Sequence, residues 1–289
     1  MKKLIAGCLT AALATLAFSS LAMAAPHNPK GEYIQFADCP LSRVTITDCV
    51  YQTVTGGSFT IGKRTVPLKN PMTLQGGFEG AGSGIKFFGA EDGNTLSKTS
   101  QPVPGGLFGI NPPSWWPKSM QEKFNNTIDN GFTGVTATVE LAGPATSLKL
   151  NTEHLIFQEG VAIQMPVKVK LDNRLLGSNC YIGSNSSPMV LSMTTGTTAP
   201  PAPNLPISGA LGDLSFDQSF TLATLVGMRL VDNAFVVPKA SGCGGLLSSF
   251  IDPLVNSLIG TPSSAGRNTA ILEGDLQDAT ALAVRASES

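Results

Sequence analysis

The chain has 289 residues, of which 42% are hydrophobic and only 13% are charged, with 31 Gly and 20 Pro. Lys and Arg number 19 against 20 Asp and Glu, so no charge excess favours a nucleic acid or an anionic membrane as the main partner. The low charge and high Gly and Pro content also exclude a helical bundle, a coiled coil and a charge-rich disordered chain.

Residues 1–24 have the pattern of a cleavable signal peptide. Lys2 and Lys3 precede an apolar stretch, and Ala22-Met23-Ala24 gives the small-x-small pattern of a cleavage site. A lipoprotein box at Cys8 is the alternative, but almost no apolar segment precedes it. We therefore expect a secreted, extracellular or cell-envelope protein cleaved near Ala24, with no transmembrane anchor.

Four cysteines follow the predicted cleavage site: Cys39, Cys49, Cys180 and Cys243. An even number of cysteines in an exported chain suggests two disulfides. Of the three possible pairings we favour Cys39–Cys49 with Cys180–Cys243, because the first two are close neighbours in sequence. No C-x-x-C spacing supports a zinc site.

Alternation of apolar and polar residues predicts several β-strands with one solvated face. Turn-forming pairs such as Gly56-Gly57 and Asn130-Gly131 separate them, and the glycine-rich residues 76–93 are predicted to be a loop. The segments in chain order are 58–68, 135–141, 167–171, 189–193, 228–231, 234–237 and 271–276.

Two segments have the apolar spacing of helices. Trp116, Met120, Phe124 and Ile128 form one stripe, with Pro117 in the first turn. Residues 246–259 place their apolar residues on one side, and Pro253 should kink or divide this helix. Between them, residues 194–206 carry four prolines and could mark an internal boundary, although one exported domain over 25–289 is the favoured organisation.

The best motif for a nucleotide site fails. Residues 57–63 match the first seven positions of a phosphate-binding loop, but Arg64 stands where Ser or Thr should bind magnesium. Val66 and Pro67 then favour a strand over the required helix. This segment is predicted to be a strand with a basic edge.

Hydrolase chemistry also lacks a distinctive signal. No Gly-x-Ser-x-Gly motif occurs, and His154 is the only histidine suited to a catalytic triad. Calcium ligation by Glu273, Asp275 and Asp278 lacks the EF-hand pattern. A glycosidase would need two carboxylates that sequence cannot choose; the candidates are Glu79, Glu91, Asp92, Glu140 and Glu159.

Both tryptophans of the chain are adjacent, Trp115 and Trp116. The favoured interpretation is that both rings cover the core. Because successive helical side chains point about 100° apart, Trp115 could instead face solvent and contact a sugar or lipid. The pair is the best candidate for ligand contact.

Two stretches resemble a group of exported actinobacterial-type proteins without an assigned activity. They are residues 36–77, with Asp38-Cys39-Pro40-Leu41 and Asp48-Cys49-Val50-Tyr51, and residues 171–184, with Asn179-Cys180-Tyr181-Ile182. The resemblance covers about a third of the chain after the signal peptide. It implies export and disulfides and supplies no catalytic residue.

We expect a mainly β or α+β protein with antiparallel sheets, sandwich- or barrel-like, two or three short helices and two disulfides. The favoured function is a non-enzymatic exported cell-envelope or extracellular binding or structural protein, with no cofactor. One alternative is an extracellular hydrolase acting on glycans. The other is a carrier of apolar ligands, which an apolar cavity above roughly 300 Å³ would favour.

Overall fold

Two antiparallel β-sheets pack face to face in the computed structural model, which describes residues 27–80 and 84–289. The predicted signal peptide therefore lies outside the described residues. Neither sheet closes into a barrel within these ranges, so the predicted β class is confirmed in its sandwich form.

The first sheet contains seven strands. In spatial order they are β11 (Asp213–Phe216), β12 (Leu222–Asp232), β14 (Thr269–Thr280), β1 (Asp48–Ile61), β3 (Met72–Glu79) and β4 (Lys86–Gly89), with β2 (Arg64–Pro67) paired to the end of β1. The long strand β1 is central to this sheet, because β2, β3 and β14 all pair with it.

The second sheet also contains seven strands, arranged around β8. They are β13 (Ala240–Ser241), β9 (Tyr181–Ile182), β8 (Ile163–Asp172), β6 (Thr136–Leu141) and β5 (Ser100–Pro102), with β10 (Met189–Met193) and β7 (Lys149–Leu150) also paired to β8. Strict alternation in β8 buries Val167, Val169 and Leu171 between the sheets. Each such side chain contributes roughly 1.5–3 kcal/mol when removed from water.

In the part of the chain that the structure describes, four short α-helices lie outside the sheets: α1 (Lys118–Asp129), α2 (Thr152–Phe157), α3 (Ser248–Ile259) and α4 (Ala281–Ala286). Single 3₁₀ turns occupy Gly31–Phe36, Ala145–Ser147 and Gly245–Leu247. The predicted division of the helix at Pro253 is wrong, because α3 continues through this residue. The proline ring lies on the exposed side of α3, where it meets solvent instead of a neighbouring element.

One predicted turn and part of one predicted loop belong to strands in the structure. Gly56 and Gly57 lie inside β1, where the register with β14 shifts. At Gly57, with φ +100°, a Cβ atom would lie 2.1 Å from the Ile271 carbonyl oxygen, so only glycine permits this approach of the strands. The predicted loop over residues 76–93 contains the end of β3 and all of β4. Residues 234–237, predicted as a strand, contribute only a bridge at Val237.

Both predicted disulfides are confirmed. Cys39–Cys49 joins the amino-terminal segment to β1 inside a small second core beside α4. Cys180–Cys243 lies in the main core and joins the start of β9 to the segment that leads into α3. All four cysteines are buried.

The sheets are also joined along one side, where β10 approaches β12. Thr194 and Val231 exchange two backbone hydrogen bonds of 3.0 and 2.9 Å. The buried Asp232 carboxylate accepts the backbone N–H of Ser192 at 2.7 Å and that of Ala234 at 2.9 Å. Burial raises the pKa of Asp232, while these two hydrogen bonds oppose the rise. The proline-rich residues 194–206 thus begin within the body of the protein.

Candidate functional site

The two tryptophans precede α1 and differ in exposure. Trp115 is 80% exposed, and Trp116 is half-buried with its ring edge-to-face against Phe124 at 5.9 Å between centroids. The interpretation that both rings cover the core is therefore wrong. Helix α1 itself has no buried residue, so its apolar stripe is only partly covered. A helix with this pattern has apolar surface left for another contact.

His154 contacts the backbone of its own segment. It lies in α2, exposed, and its Nδ1 is 3.0 Å from the backbone carbonyl oxygen of Val161. Gly160 packs against the imidazole ring, where a Cβ atom would lie 2.8 Å from Nδ1. The imidazole ring thus contacts the turn after α2, and this structural contact explains a histidine at this position.

Several of the acidic candidates contact a basic side chain or a backbone N–H group. Glu140 lies 3.7 Å from Lys168, and Glu79 lies 4.0 Å from Arg43. Glu91 accepts the Ser42 backbone N–H, and Glu273 pairs with Arg229. Within residues 27–80 and 84–289, no group of three or more potential metal ligands converges.

One acidic pair is half-buried. Asp278 of β14 and Asp48 of β1 lie two positions apart in the paired strands, on the same face. Burial, with the carboxyl of Asp48 as the smaller cause, raises the pKa of Asp278 to about 7. Its Oδ1 atom is buried and has no hydrogen-bond partner among the described residues. Glu273 and Asp275 lie on the opposite face of β14. The three residues considered for calcium ligation therefore do not share one face.

An apolar cavity of about 70 Å³ lies between the sheets, beneath α3. The first sheet contributes Phe59, Ile61 and Val66, and the second contributes several aliphatic residues. Those of the second sheet and its flanks are Val103, Val135, Ala137, Val139, Val169, Leu171 and Ile182. Helix α3 covers the cavity on the side that we call the lid side, with Val255, Leu258 and Ile259. The cavity walls are therefore almost wholly aliphatic.

The lid side of the cavity reaches the protein surface. Val255 is the only buried residue of α3, while Leu258 and Ile259 are half-buried. Phe250 is 76% exposed and Leu254 is 49% exposed. An amphipathic helix in a closed core would bury such residues, so α3 covers the cavity with few packing contacts.

Hydrogen bonds between loops form a frame around this end of the sandwich. Gly244 N–H donates to the Leu176 carbonyl at 2.7 Å, and Leu107 N–H donates to the Thr133 carbonyl at 2.8 Å. The Asn173 side chain donates to the Gly134 carbonyl at 2.6 Å. The frame therefore brings four chain segments to one end of the molecule.

Ten exposed apolar side chains lie on or beside these segments, in α1 or just before it. They are Phe108, Ile110, Trp115, Met120, Phe132, Leu175, Leu246, Leu247, Phe250 and Leu254, which we call the apolar rim. Single exposed apolar residues are ordinary on protein surfaces, but a cluster beside an apolar cavity is typical of a binding site.

Arg64 is the charged residue at the cavity, and sequence analysis missed its role. It begins β2, immediately after the β1–β2 turn, and lies half-buried against the carboxyl end of α3. Its Nε donates to the Leu258 carbonyl at 3.2 Å. The residue was considered only as a mismatch in a phosphate-binding loop, and the apolar, glycine-rich residues 103–110 that meet it had no recognisable motif.

None of the helices in the described residues has the length and apolarity to cross a lipid bilayer. Comparison with family models, curated proteins and solved structures finds no match to this chain.

Proposed function

We propose that this chain is a non-enzymatic exported protein that binds an apolar molecule in the cavity between its sheets. The observation that carries the proposal is the aliphatic cavity beneath α3, bordered by the apolar rim. Two disulfides fit an oxidising compartment outside the cytoplasm. Of the acidic residues considered for a glycan hydrolase, Glu79 lies beside Arg43 and Glu140 lies beside Lys168.

The volume of about 70 Å³ is below the roughly 300 Å³ at which small-molecule sites begin. It suffices for a short piece of an aliphatic chain. A larger ligand requires α3 to move outward and its carboxyl end to give up hydrogen bonds from Lys63 and Arg64. Only Val255 would leave a fully buried position, while the exposed Phe250 and Leu254 would gain a ligand to pack against.

The polar contacts of α3 define how it could move. Asp252 accepts the backbone N–H groups of Gly242 and Cys243 at 3.2 and 2.7 Å, and Asn256 forms two hydrogen bonds with the backbone of Ala240. These contacts anchor the side of α3 that faces β13. The opposite side, with Leu258, faces the cavity mouth and is held chiefly by the turn after β1. Widening the mouth requires this end of α3 to lose its hydrogen bonds from the turn after β1, which include Lys63 N–H to the Ile259 carbonyl at 2.7 Å.

Filling the cavity should prevent ligand binding. Ala137→Leu adds three carbon atoms to a half-buried wall residue of β6, and should weaken binding of the neutral fluorophore N-phenyl-1-naphthylamine at least about tenfold. Because the new side chain fills empty space, the free energy of unfolding should rise by about 1 kcal/mol or stay unchanged. Fluorescence titration and urea denaturation measure the two effects.

Ala286→Leu is the matched control, because Ala286 lies exposed in α4 away from the cavity. It should leave fluorophore binding unchanged. Equal binding by wild type and Ala137→Leu would mean that the fluorophore binds elsewhere, and the proposed function would then be wrong.

A further inference from the structure

Arg64 differs from the other residues that line the cavity. Among the lining residues that the structure describes, it is the only one with a charge. Its guanidinium group is half-buried at the mouth, between the carboxyl end of α3 and the loop of residues 105–110. An arginine remains charged at any physiological pH, so the apolar cavity has a permanent positive charge at its entrance.

Arg64 donates to two backbone carbonyls. Nε donates to the Leu258 carbonyl at 3.2 Å and Nη2 approaches the Leu107 carbonyl at 3.5 Å. Across residues 27–80 and 84–289, no carboxylate lies within 4.0 Å of the guanidinium. Of its five N–H groups, those on Nη1 have no recorded acceptor in the same ranges. A half-buried guanidinium without an anionic partner is complementary to an anionic ligand group.

The loop opposite Arg64 is shaped to admit the guanidinium. Gly109 has φ +65°, and a Cβ atom at this position would overlap Nη1 of Arg64, so the guanidinium packs against the backbone of this loop. Any other residue at position 109 would thus push the side chain away. The neighbouring Gly106 is buried and lines the cavity, so the same loop borders both the charge and the apolar wall.

We propose that the ligand is a single-chain anionic amphiphile whose carboxylate pairs with Arg64 while its alkyl chain enters the aliphatic cavity. This inference rests on the proposed function and adds the chemical class of the ligand. The positive charge of Arg64 lies at the mouth of the cavity, and the aliphatic walls lie behind it. In an amphiphile of this class, the charged head group is likewise followed by the alkyl chain. A planar carboxylate also matches the fork geometry of a guanidinium.

A purely structural role for Arg64 is the competing explanation, because cations at the carboxyl end of a helix stabilise it. Lys63 allows the two roles to be separated. Its Nζ donates to the Ser257 carbonyl at 3.2 Å, so it contacts the same end of α3. Lys63 is exposed and does not line the cavity. Lys63→Gln therefore removes a charge from the helix end and leaves the cavity mouth unchanged.

The test is calorimetric titration of wild type, Arg64→Gln and Lys63→Gln with dodecanoate and with dodecan-1-ol, at neutral pH and below micelle-forming concentrations. Arg64→Gln should weaken dodecanoate binding at least about tenfold and change dodecan-1-ol binding less than about twofold. Lys63→Gln should change neither by more than about twofold. Wild type should bind dodecanoate about tenfold more tightly than dodecan-1-ol, a check that does not depend on a variant folding.

The outcomes separate the two proposals. Equal losses for both ligands in Arg64→Gln, or equal affinities of wild type for both, would overturn the role of Arg64 and leave the cavity as an apolar site. Failure of wild type to bind either ligand would contradict the proposed function itself.

Discussion

Asp278→Asn is expected to raise the free energy of unfolding by about 4 kcal/mol near pH 8 and to leave it nearly unchanged near pH 4. Burial raises the pKa of Asp278 from 3.8 to about 7 in the folded protein. Between these two values the unfolded chain has lost the proton while the folded chain retains it, so stability falls as pH rises through this window. Asparagine resembles the neutral acid in shape and cannot ionise, so it removes this pH-dependent loss.

Chemical denaturation at several pH values measures the effect, with Asp213→Asn as the control. Asp213 is an exposed carboxylate of β11, on the edge of the same sheet. Its replacement should leave the pH dependence of wild type intact. If the difference in stability between Asp278→Asn and wild type were the same at pH 4 and pH 8, Asp278 would not have the raised pKa, contrary to this account.

Removing the Cys180–Cys243 disulfide by replacing both cysteines with alanine should lower the free energy of unfolding by about 4 kcal/mol. The bond closes a loop of 63 residues, and the entropy lost by the unfolded chain grows with the logarithm of loop length. Both cysteines are completely buried in the main core, so the double variant also loses packing there. Denaturation under non-reducing conditions gives the value.

The Cys39–Cys49 bond provides an internal comparison, because it closes a loop of only 10 residues. Replacing this pair with alanines should cost about 2.5 kcal/mol, roughly 1.5 kcal/mol less than the other pair. A smaller loss from the Cys180/Cys243 variant than from the Cys39/Cys49 variant would show that loop entropy does not determine the ranking.

Strands with one solvated face could be predicted from sequence, and strands between two cores could not. In β8, every second residue is buried, so period-two alternation located it. In β1, the neighbours Cys49 and Val50 are both buried, because one face meets the main core and the other meets the small core beside α4. Burial on both faces removes the alternation that marks a strand.

Glycine residues within strands also led to a wrong secondary-structure prediction. Gly76 and Gly77 lie in β3, although the sequence analysis assigned the glycine-rich segment to a loop. A Cβ atom at Gly76 would lie 2.7 Å from the Phe87 ring of β4. The glycine therefore makes room for an aromatic side chain on the next strand, a requirement of tertiary packing that has no local signal.

The candidate site was only partly predictable for a similar reason. The apolar spacing of residues 246–259 predicted a helix, and the carrier alternative already drew on it. The cavity, however, depends on the β1–β2 turn, the loop of residues 105–110 and α3 meeting at one end of the sandwich. These segments are far apart in sequence, and each has an ordinary local pattern. The position of Arg64 at the cavity mouth follows only from the contact of these segments in the folded protein.

Methyl NMR of the Val- and Leu-labelled wild-type protein during titration with dodecan-1-ol tests the central claim most directly. Binding between the sheets should shift the methyl signals of Val135, Val169 and Leu171, which line the cavity. The equally buried Val167 and Leu230 do not line it, and their signals should change little. Shifts confined to exposed residues such as Leu246, or no shifts at all, would contradict a binding site between the sheets.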